Sequence, residues 1–252
     1  MQGVFFAACG TLFTFAMTVL GASLVFLFRR RISLRVQRCC IGFAAGVMSA
    51  ASVFSLLVPA IEQARAAGSM PALTSTVGFS LGAGLMLAAE VWLSHRQLAA
   101  DEAARRQSLM IAAVTLHNIP EGMAVGLAFA LAAREDPAGL AAAITLALGI
   151  GIQNIPEGAA VALPLRQGGM SRLKSFVVGA ASGLVEPLFG LLVILVAAAA
   201  QTIMPLLMAF AAGAMMYVVT ADMIPDAARE RRGVLLVMVG YVIMMALDVA
   251  LG

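Results

Sequence analysis

One polar run occurs twice inside apolar sequence: His117–Asn118–Ile119–Pro120–Glu121–Gly122 returns as Gln153–Asn154–Ile155–Pro156–Glu157–Gly158. His117 and Glu121 are four residues apart, as are Gln153 and Glu157, so on a helix each pair shares one face. An ionisable group deep in an apolar span is costly and marks function. Glu186, in Val185–Glu186–Pro187, adds a carboxylate from a third apolar run. Counted from one end of their runs, these five polar residues fall about 6–13 residues in, roughly 9–20 Å deep at 1.5 Å per residue. They therefore share a layer, and three carboxylates in one layer repel unless protons or a divalent cation compensate them. Carboxylates, one imidazole and amides suit a borderline divalent cation and accept zinc, cadmium, iron and manganese alike. No cysteine cluster is present to lock a metal in place, and ligands that exchange with water suit passage more than storage.

Pro120, Pro156 and Pro187 stand beside these residues, and a proline inside a helix frees the carbonyl four residues back. The carbonyls expected to be freed are those of Leu116, Ile152 and Gly183, which must then be satisfied within the protein or along a wet cavity. Gly122 and Gly158 would let neighbouring helices approach closely.

The elements that must position these groups are membrane spans. Of 252 residues, 62% are hydrophobic and 12% charged, with mean hydropathy +0.99; ordinary globular domains carry about twice that share of charge. Apolar runs cover about residues 4–28, 40–62, 71–94, 108–132, 138–163, 175–199, 203–221 and 233–251. A span needs about 20 residues, so the chain reads as one transmembrane domain, residues 1–252, with eight helices and short loops. Alternate loops hold Arg29, Arg30, Arg31, Arg35 and Arg38; Arg96, Arg105 and Arg106; Arg166, Arg172 and Lys174; and Arg229, Arg231 and Arg232. Only Arg65 and Arg134 fall on the other side, so the positive-inside rule puts both termini outside a plasma membrane, or an inner membrane in a Gram-negative cell. With its basic residues in these loops, the net charge of +3 leaves no patch for nucleic acid. Cys9, Cys39 and Cys40 have neither finger nor disulfide spacing and read as packing residues. The first run is too long for a signal-peptide core and reads as a retained helix. The loop over residues 95–107 is expected to be charged and mobile, with His95 its one soft ligand.

Phe43–Ala44–Ala45–Gly46–Val47–Met48 in the second run matches Phe210–Ala211–Ala212–Gly213–Ala214–Met215 in the seventh, and Pro59 further on matches Pro225. These runs cross in opposite directions, so the fold class is all-α, a polytopic membrane protein with an inverted repeat of helices 1–3 onto 6–8 around helices 4–5. Such repeats place their polar site near the repeat interface. On composition alone Met48 is a core residue. Asp222 and Asp226 divide between solvated groups and a role in ion release, and Glu62 between an interface residue and an uptake ligand. Glu90 and Asp248, near run ends, read as structural.

The paired motif followed by Val185–Glu186–Pro187 resembles the ZIP family of divalent-metal transporters, and residues 46–59 resemble its GufA-like branch. The resemblance implies an importer with a binuclear metal site and no organic cofactor. One metal would take His117, Glu121, Gln153 and Glu157, with Met48 as a further ligand. The second would take Asn118, Asn154 and Glu186, bridged by Glu121 and Glu157. The resemblance also implies an uptake role near Ser55 and Glu62, release near Asp222, a bundle including spans 4 and 5 that slides against spans 2 and 7, and a homodimer in the bilayer. Two positions depart from the family pattern: Gln153 where many members have a second histidine, and Asn154 where some have aspartate. A His-rich loop is also lacking. An intramembrane hydrolase would lack a HisGluXxxXxxHis motif or an evident nucleophile–base pair. A proton-coupled carrier of another substrate, or a scaffold with a structural metal, would differ from the importer in metal flux.

Overall fold

In the computed structural model, residues 2–27, 33–95, 102–132, 137–199 and 203–251 are described, and all the regular structure among them is helical. Residues 29–31, Arg96 and Arg134 lie outside this set, as do residues 96–101 of the loop expected over residues 95–107, whose last six residues are instead the start of a helix; the side chains of Arg105, Arg106 and His117 are also outside it. The helices are α1 (Gln2–Leu27), α2 (Leu34–Ala51), α3 (Val58–Ala66), α4 (Pro71–Ser94), α5 (Glu102–Ala132), α6 (Pro137–Gln167), α7 (Arg172–Ser182), α8 (Val185–Ala199), α9 (Met204–Val218), α10 (Ile224–Ala227) and α11 (Arg231–Leu251). A π turn, Ser52–Leu57, joins α2 to α3, and a second, Val219–Met223, joins α9 to α10.

Seven of the resulting rods are long and apolar enough to cross a membrane, including Leu34–Ala66 and Met204–Ala227 across their π turns. The eighth expected span lies within α5. Its 31 residues exceed the length a core of about 30 Å requires, but the helix also carries Glu102, Arg105, Arg106 and the first polar motif and is not one of the seven.

Four helix pairs dominate the packing: α1 with α6, α5 with α8, α2 with α11, and α4 with α9. Each runs parallel, as alternate crossing requires, and glycines set the contacts. Gly46 abuts the Val237 carbonyl while Gly240 abuts that of Phe43; in the other half Gly213 abuts the Phe79 carbonyl while Gly82 abuts that of Phe210. Gly46 and Gly213, and likewise Phe43 and Phe210, are matched in the repeat read from the sequence. The two interfaces are thus copies of one arrangement, in which a missing Cβ lets two backbones meet. A strongly apolar core of Met, Ala, Leu and Val fills the space between them, with Met48, Met208, Met215 and Met244 almost wholly buried. Outward faces of α1, α4 and α11 expose Phe5, Leu12, Leu81, Leu85, Leu235 and Met238, the composition a lipid-facing surface requires.

The helices outrun several apolar runs. Helix α2 starts at Leu34, capped by Ser33 Oγ, rather than near residue 40, because Arg35 and Arg38 reach Glu230 and Asp226 at 3.4 and 3.8 Å. These contacts gather the starts of α2 and α11 at one end, called here the basic end. In α5 and α6 the helix continues through Pro120 and Pro156. At Pro187 it does not: α7 ends at Ser182, and α8 begins after the turn at Gly183–Leu184. The Gly183 carbonyl expected to be free accepts from the Glu186 N–H at 3.0 Å, and the Ser182 carbonyl instead takes a side-chain donor.

Candidate functional site

Helices α5 and α6 bring their motifs side by side, with α8 against the first and α1 against the second. Gly122 lets α5 meet the backbone of Glu186, and Gly158 lets α6 meet the carbonyl of Thr18. A Cβ at either position would force the helices apart and withdraw a polar group from the centre. This close packing leaves Asn118, Glu121, Gln153, Asn154 and Glu186 with 0% exposure.

Hydrogen bonds tie these groups into three sets. Gln153 Nε2 donates to Glu121 Oε1 at 2.8 Å. Asn154 Nδ2 donates to Glu186 Oε2 at 2.9 Å and to the Thr14 carbonyl at 3.3 Å, while Thr18 Oγ1 donates to Glu186 Oε1 at 2.9 Å. Asn118 Nδ2 donates to the Ser182 carbonyl at 3.0 Å. The donors are therefore spent, and several acceptors are not. Glu121 Oε2, Gln153 Oε1, Glu157 Oε1, Asn118 Oδ1 and Asn154 Oδ1 are buried with no hydrogen-bond partner. Buried oxygens of this kind are costly unless something positive meets them. Among the described residues no three His, Cys, Asp or Glu side chains form a metal cluster; amides intersperse the carboxylates.

A cavity of about 320 Å³ reaches this centre. Met48, Glu121, Gln153 and Glu157 line its inner part, and Cys40, Asp222 and Asp226 line it toward the basic end. Asn118, Asn154 and Glu186 lie off its wall. A second cavity, of about 510 Å³, lies on the opposite side and is lined by Ser55, Glu62, Gln63 and Asp248, among others. The cavities share no lining residue. Ala51 on α2, Ala124 and Leu127 on α5, and Leu146 and Ile150 on α6, which lie between the two sets along each helix, are fully buried.

Residues 94–248 match the family described as ZIP Zinc transporter. The chain belongs to the ZIP family. Among its ZIP relatives, the human protein named Zinc transporter ZIP11 is 36% identical over an alignment 338 residues long, covering 100% of this chain and 98% of the relative. Zinc transporter ZIPB of Bordetella bronchiseptica is 40% identical, with 98% and 82% covered. Zinc transporter GufA of Myxococcus xanthus is 36% identical, with 93% and 94% covered. The fold and these relatives identify a polytopic membrane transporter rather than an enzyme.

Against this ZIP background, the reading from sequence missed three groups. Asp248 does not stand alone at a helix end: it accepts from Ser55 Oγ at 2.8 Å and lines the second cavity. Thr14 and Thr18 bring α1 to the buried polar layer through Asn154 and Glu186. Cys40 faces the first cavity rather than a packing interface, and Cys9 is exposed. Only the alternation of Thr11, Thr14 and Thr18 along an apolar helix, a polar stripe at helical spacing, was legible as a signal. Glu90 accepts from Tyr217 Oη at 2.6 Å, a contact between the ends of α4 and α9.

Proposed function

We propose that this chain carries divalent metal cations, zinc foremost, toward the cytoplasm through a two-metal layer inside the membrane. The observation that carries the reading is the set of five buried oxygens without hydrogen-bond partners. A divalent cation meets all of their unsatisfied demand at once, which protons do less completely because amide oxygens accept but do not ionise. The first position takes His117, Glu121, Gln153 and Glu157 with Met48; the second takes Asn118, Asn154 and Glu186, with Glu121 and Glu157 bridging. Zinc is favoured by the names of the relatives; the ligand set accepts cadmium, iron and manganese as well.

Uptake begins at Ser55 and Glu62 in the second cavity, where an ion exchanges part of its water. It passes the buried layer around Leu127 and Ile150 when the bundle carrying α5 and α6 moves, and leaves through the first cavity past Asp222 and Asp226. Among the described residues, Met48, Glu121, Gln153 and Glu157 line the cavity toward the basic end, and none of the four lines the second cavity. The eighth span is α5, the basic end is cytoplasmic, both termini are outside, and the protein works as a homodimer. The test is zinc uptake into liposomes at controlled pH and potential, with organelle-free purified protein. Flux is expected for the unmodified chain and none for Glu157→Ala; equal flux for both would sink the proposal.

A further inference from the structure

A lateral groove opens between α3 and α4 at the end of the bundle opposite the basic end. Leu57, Ile61 and Arg65 recur at four-residue steps and share one helix face. With Ser75, Thr76 and Phe79 of α4 they line a cavity of about 670 Å³. Val58 and Glu62 of α3 line the second cavity instead, so this helix stands between the groove and that cavity.

No carboxylate lines the groove. Arg65, exposed in the last turn of α3, has no ion pair among the described residues. Ser75 is only 6% exposed, and its Oγ has no hydrogen-bond partner. Ser49 and Thr115, also inside helices, donate instead to the carbonyl four residues back. A buried hydroxyl left unpaired beside an open groove points to a polar group that enters it. The groove thus has a cation at its mouth, a hydroxyl about 6 Å into α4 and an apolar wall beyond. Phosphate, glycerol ester and acyl chain follow in that order through the interfacial layer of a bilayer, about 5–8 Å thick on each side of the core. A second copy of this chain fits less well. A two-fold contact brings one patch together twice, which here would set two arginines against each other with no carboxylate between them.

We propose that this groove holds one phospholipid of the leaflet opposite the basic end. Its phosphate sits on the Arg65 guanidinium, an ester carbonyl accepts from Ser75 Oγ, and one acyl chain lies against Leu57, Ile61 and Phe79. A guanidinium offers a phosphate two parallel N–H donors, and basic recesses between membrane helices bind lipid headgroups. The lipid braces, from behind, the helix that carries Glu62. The site is independent of which ion the protein carries.

The test is native mass spectrometry of the full chain, stripped of lipid in detergent and titrated with phosphatidylglycerol. One lipid per chain is expected to be retained, saturably. Arg65→Gln is expected to weaken retention about tenfold and Ser75→Ala about threefold, while Arg65→Lys keeps most of it. Ala72→Trp, which puts an indole into the groove, abolishes it. Residues 65 and 72 are exposed, so these variants unfold at the unmodified temperature when no lipid is present. Diacylglycerol, without the phosphate, and glycerol phosphate, without the chains, each bind about ten times more weakly or less. Lipid uptake that never saturates, equal retention by Arg65→Gln, or equal retention of diacylglycerol would overturn the proposal. So would Ala72→Trp turning a dimer into a monomer with lipid retention unaltered, which would assign the groove to a second copy.

Discussion

The two copies of the motif occupy matched frames and hold unmatched polar side chains. Asn118 donates to the Ser182 carbonyl as Asn154 donates to that of Thr14, and Gly122 meets Glu186 as Gly158 meets Thr18. Ser182 with Glu186 and Thr14 with Thr18 are equivalent pairs in the inverted repeat, so the backbone frame is symmetric. The side chains of the polar layer are not: α8 contributes a carboxylate, Glu186, where α1 contributes a hydroxyl, Thr18, and the sequence has His117 in the first copy where the second has Gln153. Both oxygens of Glu186 are already engaged, by Thr18 and Asn154, whereas Glu121 and Glu157 each keep an oxygen with no hydrogen bond. Helix packing tolerates little change because it depends on absent Cβ atoms; side chains inside the frame are free to diverge, and chemistry follows from those exceptions.

The sharpest way to break this contrast is to remove the carboxylates one at a time. Glu121→Ala and Glu157→Ala are expected to lower zinc uptake by more than the roughly 10–100-fold typical of losing a supporting partner, and Glu186→Ala by less. Equal losses in a liposome flux assay would erase the distinction between the positions. The symmetry of the frame is probed by Gly122→Ala and Gly158→Ala, which place a Cβ against backbone. Each should cost about 1–3 kcal/mol in detergent unfolding, by similar amounts; a large difference would show that only one contact holds the layer. Asn154→Asp sharpens the second position, because a carboxylate replaces an amide whose NH2 group now points at Glu186. Calorimetry should then find the second equivalent of zinc bound about tenfold more tightly, since affinity for hard-oxygen sites scales with ligand charge. The smallest effect belongs to Thr18→Val. Losing one hydrogen bond to a buried carboxylate should cost about 0.6–2 kcal/mol, read as weaker binding of that second equivalent.

Much of the architecture was legible because lipid imposes a simple code. Apolar runs of span length and the Phe43–Met48 echo at Phe210–Met215 pointed to the helices and to the inverted repeat; which helix packs against which was not legible. The buried polar layer was legible in part, since Glu121 and Gln153 lie at helical spacing from His117 and Glu157 within apolar sequence; the side chain of His117 is outside the described residues. What escaped depends on contacts distant in sequence. No local pattern announces that Asp248 meets Ser55, that Thr18 reaches Glu186, or that Cys40 faces a cavity. The early start of α2 escaped because Arg35 and Arg38 look like loop charges until Glu230 and Asp226 are placed beside them. The break at Gly183–Leu184 was displaced from its expected effect because the helix yielded as a whole turn instead of releasing one carbonyl.

The π turn at Ser52–Leu57 sets the phase of everything after it. An α-helix advances about 100° per residue, so one extra residue in a turn rotates the following column by that much. Met48 and Ser55, two α turns apart, would otherwise stand in line along one groove. With the slip, Met48 faces the cavity of Glu121 and Glu157, while Ser55 and Glu62 face the other. The repeat holds one residue more between Phe43 and Pro59 than between Phe210 and Pro225, and it falls in this longer of the two π turns. A single rod thereby becomes a partition wall with a different surface toward each compartment, and no straight track joins them. Deleting one residue from this turn is expected to bring the two columns back into line.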